Sequence, residues 1–255
     1  MGQLTIKEKL NGACRRIFRG ESLVKGLLVG LVCLGTLYRG AGFAQNNDKN
    51  LLPEHSSPGL SFFNNCAFVC IDIQPMGRRQ IADISQEWKN VGYTREDCQA
   101  ALDFYFQQTI PNAARVVGSC RALGMPIIFV HWGCLFPDGI DLDPAVRQNW
   151  MKNGKIDCSQ VPYIGHPDSR PDPGLGVQKE DYVLAKSAQD AFPSSNLGYM
   201  LENLGVRHIV FVGGHTNPGG CLGKTARSAR AKGYSILCVD DATFDAGEST
   251  RKKGI

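Results

Sequence analysis

The segment from His208 to Ala229 limits the folds open to this chain more than any other. It runs from an apolar β-branched stretch (Ile209 to Val212), through a glycine-rich loop, into a helical pattern that opens near Cys221. A short buried strand, turn residues and a helix in that order mark a βα unit. A cysteine at the mouth of a helix meets unpaired backbone N–H groups and the positive end of the dipole, which favour a thiolate. The same N–H groups can hold the oxyanion formed when a thiolate attacks a carbonyl. The competing reading is a small core residue, since cysteine is among the most buried residue types.

The remaining pattern supplies the context. Cys66 to Gln74 reads as a continuous apolar strand ending in two polar side chains, Asp72 and Gln74. Arg95 to Leu123 has helical periodicity interrupted at Pro111, and Gly124-Met-Pro126 stops it before a second buried strand, Ile127 to Val130. From His131 to Glu180 the chain is rich in Pro, Gly and Asp, with room for one short helix near Ala145 to Met151. Asp181 to Lys186 is a third strand and Leu197 to Leu204 a helix closed by Gly205. His208 to Val212 is the fourth strand, Cys221 to Lys232 a helix ending at Gly233, and Ser235 to Asp240 the fifth strand. Near-continuous apolar strands alternating with helices predict an α/β fold: a three-layer α/β/α sandwich on a mainly parallel sheet of five or six strands, Rossmann-like in class.

In such sheets the ligand crevice lies beyond the carboxyl ends of the strands. Asp72, Gln74, His131, Lys186 and the Gly213 to Cys221 loop all stand at those ends. Taken singly, Asp72 reads as a turn cap and Lys186 as a solvated strand end. Delivered together to one edge, a carboxylate, an ammonium and a thiol can form a hydrolytic set.

The N-terminal residues follow other rules. Arg15, Arg16 and Arg19 precede Gly26 to Tyr38, 13 residues without charge, and Gly42-Phe43-Ala44 offers small residues at the −3 and −1 positions of a cleavage site. Residues 1–44 therefore read as a secretory signal peptide, and the Arg15-Arg16-Ile17-Phe18 run resembles a twin-arginine export signal. The apolar run is shorter than the roughly 20 residues a spanning helix needs, so no stable membrane insertion is expected after cleavage. The expected location is periplasmic or secreted. Residues 45–65, prominent in Asn, Ser, Pro and Gly, read as a linker or surface arm, and 66–255 as the folded domain. The leader holds seven of the 28 Lys and Arg and two of the 24 Asp and Glu, leaving 21 basic against 22 acidic residues. The basic balance thus belongs to the leader, and nucleic acid is not an expected partner. Eight cysteines remain; an oxidising compartment allows disulfides, but Cys66, Cys70 and Cys238 fall in apolar strands, where free thiols serve equally well.

Taken in order, these residues resemble the isochorismatase-like hydrolases, the group that includes nicotinamidase and N-carbamoylsarcosine amidase. Phe68 to Gln74 is similar to that family's opening strand with its Asp-x-Gln. Ile110 to Arg115 and Arg121 to Val130 resemble its helix and second strand. Val183 to Lys186, Ala191-Phe192 and Asn196-Leu197 resemble the lysine strand and the segment after it. Gly214 to Asn217, Cys221, Thr225 to Arg227 and Val239 to Ala242 resemble the cysteine loop, its helix and the strand beyond. The resemblance implies a triad of Asp72, Lys186 and Cys221, with no cofactor. In that scheme Lys186 and the helix start lower the thiol pKa, and Asp72 moves the proton. A small-molecule substrate is then expected to be lined by Gln74, His131, Phe192, Gly214, His215, Thr216 and Asn217, each of which also has a packing or turn reading.

Three departures from the family pattern carry expectations of their own. Pro218-Gly-Gly220 puts three residues where the family usually has one, which could move Cys221 by half a turn. His131-Trp-Gly-Cys-Leu-Phe-Pro-Asp138 does not reproduce the nicotinamidase metal spacing, so no catalytic metal is expected and nicotinamide is disfavoured. The residues before Ile255 read as a helix, so the edge beyond the fifth strand is expected to be covered by the 45–65 arm or by another subunit of a homo-oligomer. The leading expectation is an exported cysteine hydrolase of an amide, ureido or carbamoyl C–N bond. A non-catalytic binding or scaffold protein of the same fold is the alternative. Enol-ether hydrolysis of the isochorismatase type fits less well, because members with that chemistry lack the cysteine.

Overall fold

The computed structural model describes residues 65–75, 94–158 and 161–254. The expected leader and all of the arm but Asn65 lie outside the described residues. Among the described residues, seven strands and seven α-helices follow in order: β1 (Cys66–Ile71), α1 (Arg95–Phe104), α2 (Ile110–Ala122), β2 (Ile127–Trp132), α3 (Pro144–Trp150), β3 (Met151–Lys152), β4 (Lys155–Ile156), β5 (Tyr182–Lys186), α4 (Ala191–Ser194), α5 (Leu197–Asn203), β6 (His208–Gly214), α6 (Cys221–Ala231), β7 (Ser235–Phe244) and α7 (Glu248–Gly254). Five of the strands make one parallel sheet in the order β5-β2-β1-β6-β7, and β3 with β4 forms a small antiparallel hairpin.

Strand alternation explains the layers. Phe68 and Cys70 of β1 point to one face with Phe129, Val210 and Val212, where α2 covers them. Ala67, Val69 and Ile71 point to the other, packed with Val130, Phe211 and residues of α5 and α6. Period 2 along strands buried on both faces is what a helix-covered parallel sheet requires. A third, smaller cluster gathers Cys134, Leu142, Val146, Ile156 and Val161 beneath the irregular segment after β2.

Local chemistry sets several element ends. Thr94 and Asp97 form a capping box at the start of α1, Asp143 caps α3, and Asp190 caps α4. The helical stretch expected across 95–123 is broken by one π turn, Tyr105–Thr109, rather than at Pro111. Pro111 sits in the first turn of α2, where a missing N–H costs nothing. Strand β7 runs four residues past its expected end at Asp240. It does so through an irregularity: Phe211 pairs with Cys238, but Gly213 pairs with Thr243. This bulged course returns Thr243 and Phe244 to the end of β6.

Because β1 leads outward to β2 on one side while β6 and β7 lie on the other, the strand order reverses between β1 and β6. Open α/β sheets place their ligand crevice at such a switch point, beyond the carboxyl ends of the strands.

Candidate active site

Beyond the end of β1, Asp72 adopts φ 56°, in the left-handed region that few residues other than Gly, Asn and Asp enter. Strain of this kind persists where surrounding structure enforces it and collects at functional sites. Lys186, the last residue of β5, is fully buried and reaches across the end of β2 to place Nζ 2.9 Å from Asp72 Oδ2. Its ammonium also lies 4.6 Å from the centre of the Trp132 ring and donates to the Ala188 carbonyl at 3.2 Å. Cys221 opens α6 from the far side of the switch point, with its thiol close enough to Asp72 and Lys186 for both to act on its ionisation. The three residues expected to meet do so.

The longer loop folds back on itself. Gly220 N–H donates to the Asn217 carbonyl at 2.8 Å and Gly219 N–H to Asn217 Oδ1 at 3.0 Å, so Pro218 and Gly219 form a tight turn that absorbs the additional residues. Gly223 N–H then donates to the His215 carbonyl at 3.0 Å, holding the first turn of α6 against the loop. Gly213 (φ 105°) lies near the end of β6, and a Cβ there would collide with the Ile71 carbonyl oxygen, so only glycine fits.

The electrostatics correct one expectation. The Cys221 thiol is pushed up to about 12: burial outweighs the pull of Lys186, and the Asp72 charge adds to the rise. That rise favours a neutral thiol beside the ion pair over a standing thiolate. Burial also works against the Lys186 ammonium, yet Asp72 and then Cys221 more than compensate, and its pKa is raised. His131 is buried close to these charges; burial lowers its pKa, so the ring stays neutral, and among the described residues its Nδ1 has no hydrogen-bond partner.

Three residues expected to contact substrate have their polar groups engaged elsewhere. Gln74 is 2 % exposed; its Nε2 donates to the carbonyls of Trp132 (3.0 Å) and Asp168 (3.1 Å), and its Oε1 accepts from Trp132 N–H at 2.6 Å. It bolts β1 to the end of β2 and so seats the Trp132 ring under Lys186. Thr216 and Asn217 turn inward to Asp245, a residue that sequence reasoning missed. Asn217 N–H (2.6 Å) and Nδ2 (3.1 Å) donate to its carboxylate, Thr216 Oγ1 lies 3.1 Å from Oδ2, and His215 Nδ1 lies 3.6 Å from Oδ1. Burial alone would raise the Asp245 pKa, but the hydrogen bond and charge of His215 and the N–H groups of Ala246 and Asn217 bring it down to about 2.

Gly214 is buried against Phe244, and the bond from Gly214 to His215 is cis. The His215 ring keeps about a third of its surface exposed and stacks edge-on against Phe244 at 5.0 Å. Phe192 lines an open groove of about 1050 Å³ with Leu135, Ile164, Val183 and Tyr199. That lining reaches Lys186 but, among the described residues, neither Asp72 nor Cys221, so the groove abuts the ion pair from outside. All eight described cysteines are free thiols.

A family model for the isochorismatase domain matches residues 66–255. The chain belongs to the isochorismatase family. Among curated members, ureidoacrylate amidohydrolase RutB of Variovorax paradoxus strain S110 is 26% identical over 163 residues, covering 58% of this chain and 60% of that protein. The uncharacterised isochorismatase family protein YwoC of Bacillus subtilis strain 168 is 31% identical over 137 residues, covering 53% and 66%. The matched stretch thus spans about three fifths to two thirds of these relatives' length. Among solved structures, an isochorismatase family protein from Desulfovibrio vulgaris shares the fold with a TM-score of 0.55 at 20% identity, covering 74% of this chain and 87% of that one.

Proposed function

We propose that this member of the isochorismatase family is a cysteine hydrolase that cleaves a C–N bond (amide, ureido or carbamoyl) of a small molecule, using Asp72, Lys186 and Cys221. The observation that carries the reading is the buried Asp72–Lys186 ion pair with the Cys221 thiol beside both of its members. The name of the Variovorax relative, a ureidoacrylate amidohydrolase, supports the same bond type.

With the thiol neutral at rest, the nucleophile forms during attack. Asp72 takes the Cys221 proton as the sulfur bonds to the carbonyl carbon, and the Lys186 ammonium stabilises the charge that develops on sulfur. The carbonyl oxygen becomes an oxyanion stabilised by the backbone N–H groups of Cys221 and Leu222 at the start of α6. Collapse breaks the C–N bond; the proton on Asp72 passes to the departing nitrogen, and the acyl group remains on sulfur as a thioester. Water, deprotonated by Asp72, attacks that thioester and releases an acid while the proton returns to Cys221.

The test is hydrolysis of a panel of amides, ureas and carbamates by the purified chain. Turnover abolished by Cys221→Ser supports the proposal. No turnover, with Cys221 alkylated by iodoacetamide no faster than Cys66 or Cys120, favours a non-catalytic binding protein. Export belongs to the same proposal and rests on residues 1–44: mature protein starting at Gln45 in an exported fraction supports it, and unprocessed protein inside the cell removes it.

A further inference from the structure

We propose that Asp245 is a positioning residue for Cys221, its carboxylate setting the conformation of residues 215–217 and through them the place of the sulfur against Asp72 and Lys186. Three successive loop residues bring donors to this one group: His215 Nδ1 at 3.6 Å, Thr216 Oγ1 at 3.1 Å, and Asn217 through N–H at 2.6 Å and Nδ2 at 3.1 Å. Ala246 N–H, at 2.7 Å, fixes the carboxylate from its own side of the bulged strand. The Thr216 hydroxyl also lies 3.2 Å from the Arg251 carbonyl, so its single proton has two acceptors to choose between. The Asn217 donors have no such alternative and depend on Asp245.

From the loop, two carbonyls carry the constraint onward. Asn217 O accepts from Gly220 N–H and His215 O from Gly223 N–H, the residues on either side of Cys221 and Leu222. Cys221 is thus two hydrogen bonds from Asp245. The carboxylate side chain is 1 % exposed and held ionised, so it acts on the loop as a charged acceptor shielded from bulk solvent. Removing it takes the acceptor from both Asn217 donors, and the helix start that carries the sulfur loses its reference point. Displacement of a reacting group by about 1 Å costs on the order of 10²-fold in rate.

The activity readout rests on the cysteine-hydrolase reading, whereas the chemical readout does not. Wild type, Asp245→Asn, Asp245→Ala and Thr94→Ala are compared for kcat, KM and thermal melting. The rate at which iodoacetamide modifies Cys221 in the folded protein is read by peptide mass spectrometry. Thr94→Ala removes a helix cap remote from the site and serves as the merely destabilised control. The expected result is a kcat lowered about 10²-fold in Asp245→Ala and less in Asp245→Asn, with KM little changed. Cys221 alkylation falls in the same order, while Thr94→Ala melts earlier but keeps both rates. Asp245 variants that keep wild-type kcat and alkylation rate, or lose them only in step with the unfolded fraction, overturn the proposal. A wild type that hydrolyses nothing defeats the cysteine-hydrolase reading instead. The alkylation rates then decide alone, and equal rates overturn the role of Asp245.

Discussion

Asp72, with its side chain 9 % exposed, and the buried Asp245 are carboxylates beyond the ends of the two strands that flank β6, and they are treated in opposite ways. Asp245 is saturated: N–H groups of Asn217 and Ala246 and side chains of three loop residues converge on its two oxygens. Asp72 has Lys186 on Oδ2, while its buried Oδ1 accepts no hydrogen bond of ordinary geometry among the described residues. A carboxylate wrapped in donors cannot take a proton without breaking them, so it anchors. One that keeps an open lone pair beside a thiol can receive that thiol's proton. Surroundings, not residue type, separate the proposed anchor from the proposed reagent.

The largest test of this contrast is at the sulfur. Cys221→Ser should lower kcat by about 10⁴-fold or more, as removal of a nucleophile does, with little change in stability. A serine variant that keeps its turnover would show that neither carboxylate serves a cysteine. Next in size, Lys186→Met strands the Asp72 charge in the interior and should cost about 3–5 kcal/mol in urea unfolding. A loss below about 1 kcal/mol would mean that Asp72 finds another partner.

Gln74→Ala removes three hydrogen bonds, one buried and two part-buried, and should cost about 2–3 kcal/mol, while activity per folded molecule survives unless the Trp132 seat shifts. A changed KM at unchanged stability would return Gln74 to the substrate. Acid unfolding probes the anchor itself. Asp245 has its pKa depressed from 3.8 to about 2, so its stabilisation, about 2 kcal/mol, is present above pH 4 and lost as pH falls through about 2. Asp245→Asn should flatten that part of the stability curve, and an identical curve would mean that the carboxylate is not held as described. Smallest in free-energy terms is the thiol. With its pKa near 12, alkylation of Cys221 should rise about tenfold per pH unit below that value. A plateau near neutral pH would instead reveal a standing thiolate.

Much of the fold was legible because buried parallel strands are written as short, unbroken apolar runs, and β1, β2, β5 and β6 each carry one. The meeting of Asp72, Lys186 and Cys221 was legible for the same reason: each stands at a strand end or just beyond one. Asp245 was not, because β7 reads as finished at Asp240. The bulge through residues 239–242 that brings its end back beside Gly213 leaves no mark in hydropathy. The inward turn of Thr216 and Asn217 was hidden for a related reason, since it depends on that unseen acceptor. The direction of the Cys221 shift was misread because a helix start and a lysine are visible in a sequence, whereas the depth at which they are buried is not.

The contact between Gly213 and the Ile71 carbonyl has an evolutionary consequence. The strand that delivers the acid and the strand that launches the sulfur touch main chain to main chain, with no side chain to act as spacer. Their separation is therefore insulated from change in the surrounding walls. In the proposed mechanism, substitutions at Leu135, Ile164 or Phe192 in the groove wall would leave the spacing of Asp72 and the cysteine loop to this seam. Any residue larger than glycine at that seam would pry the two strands apart.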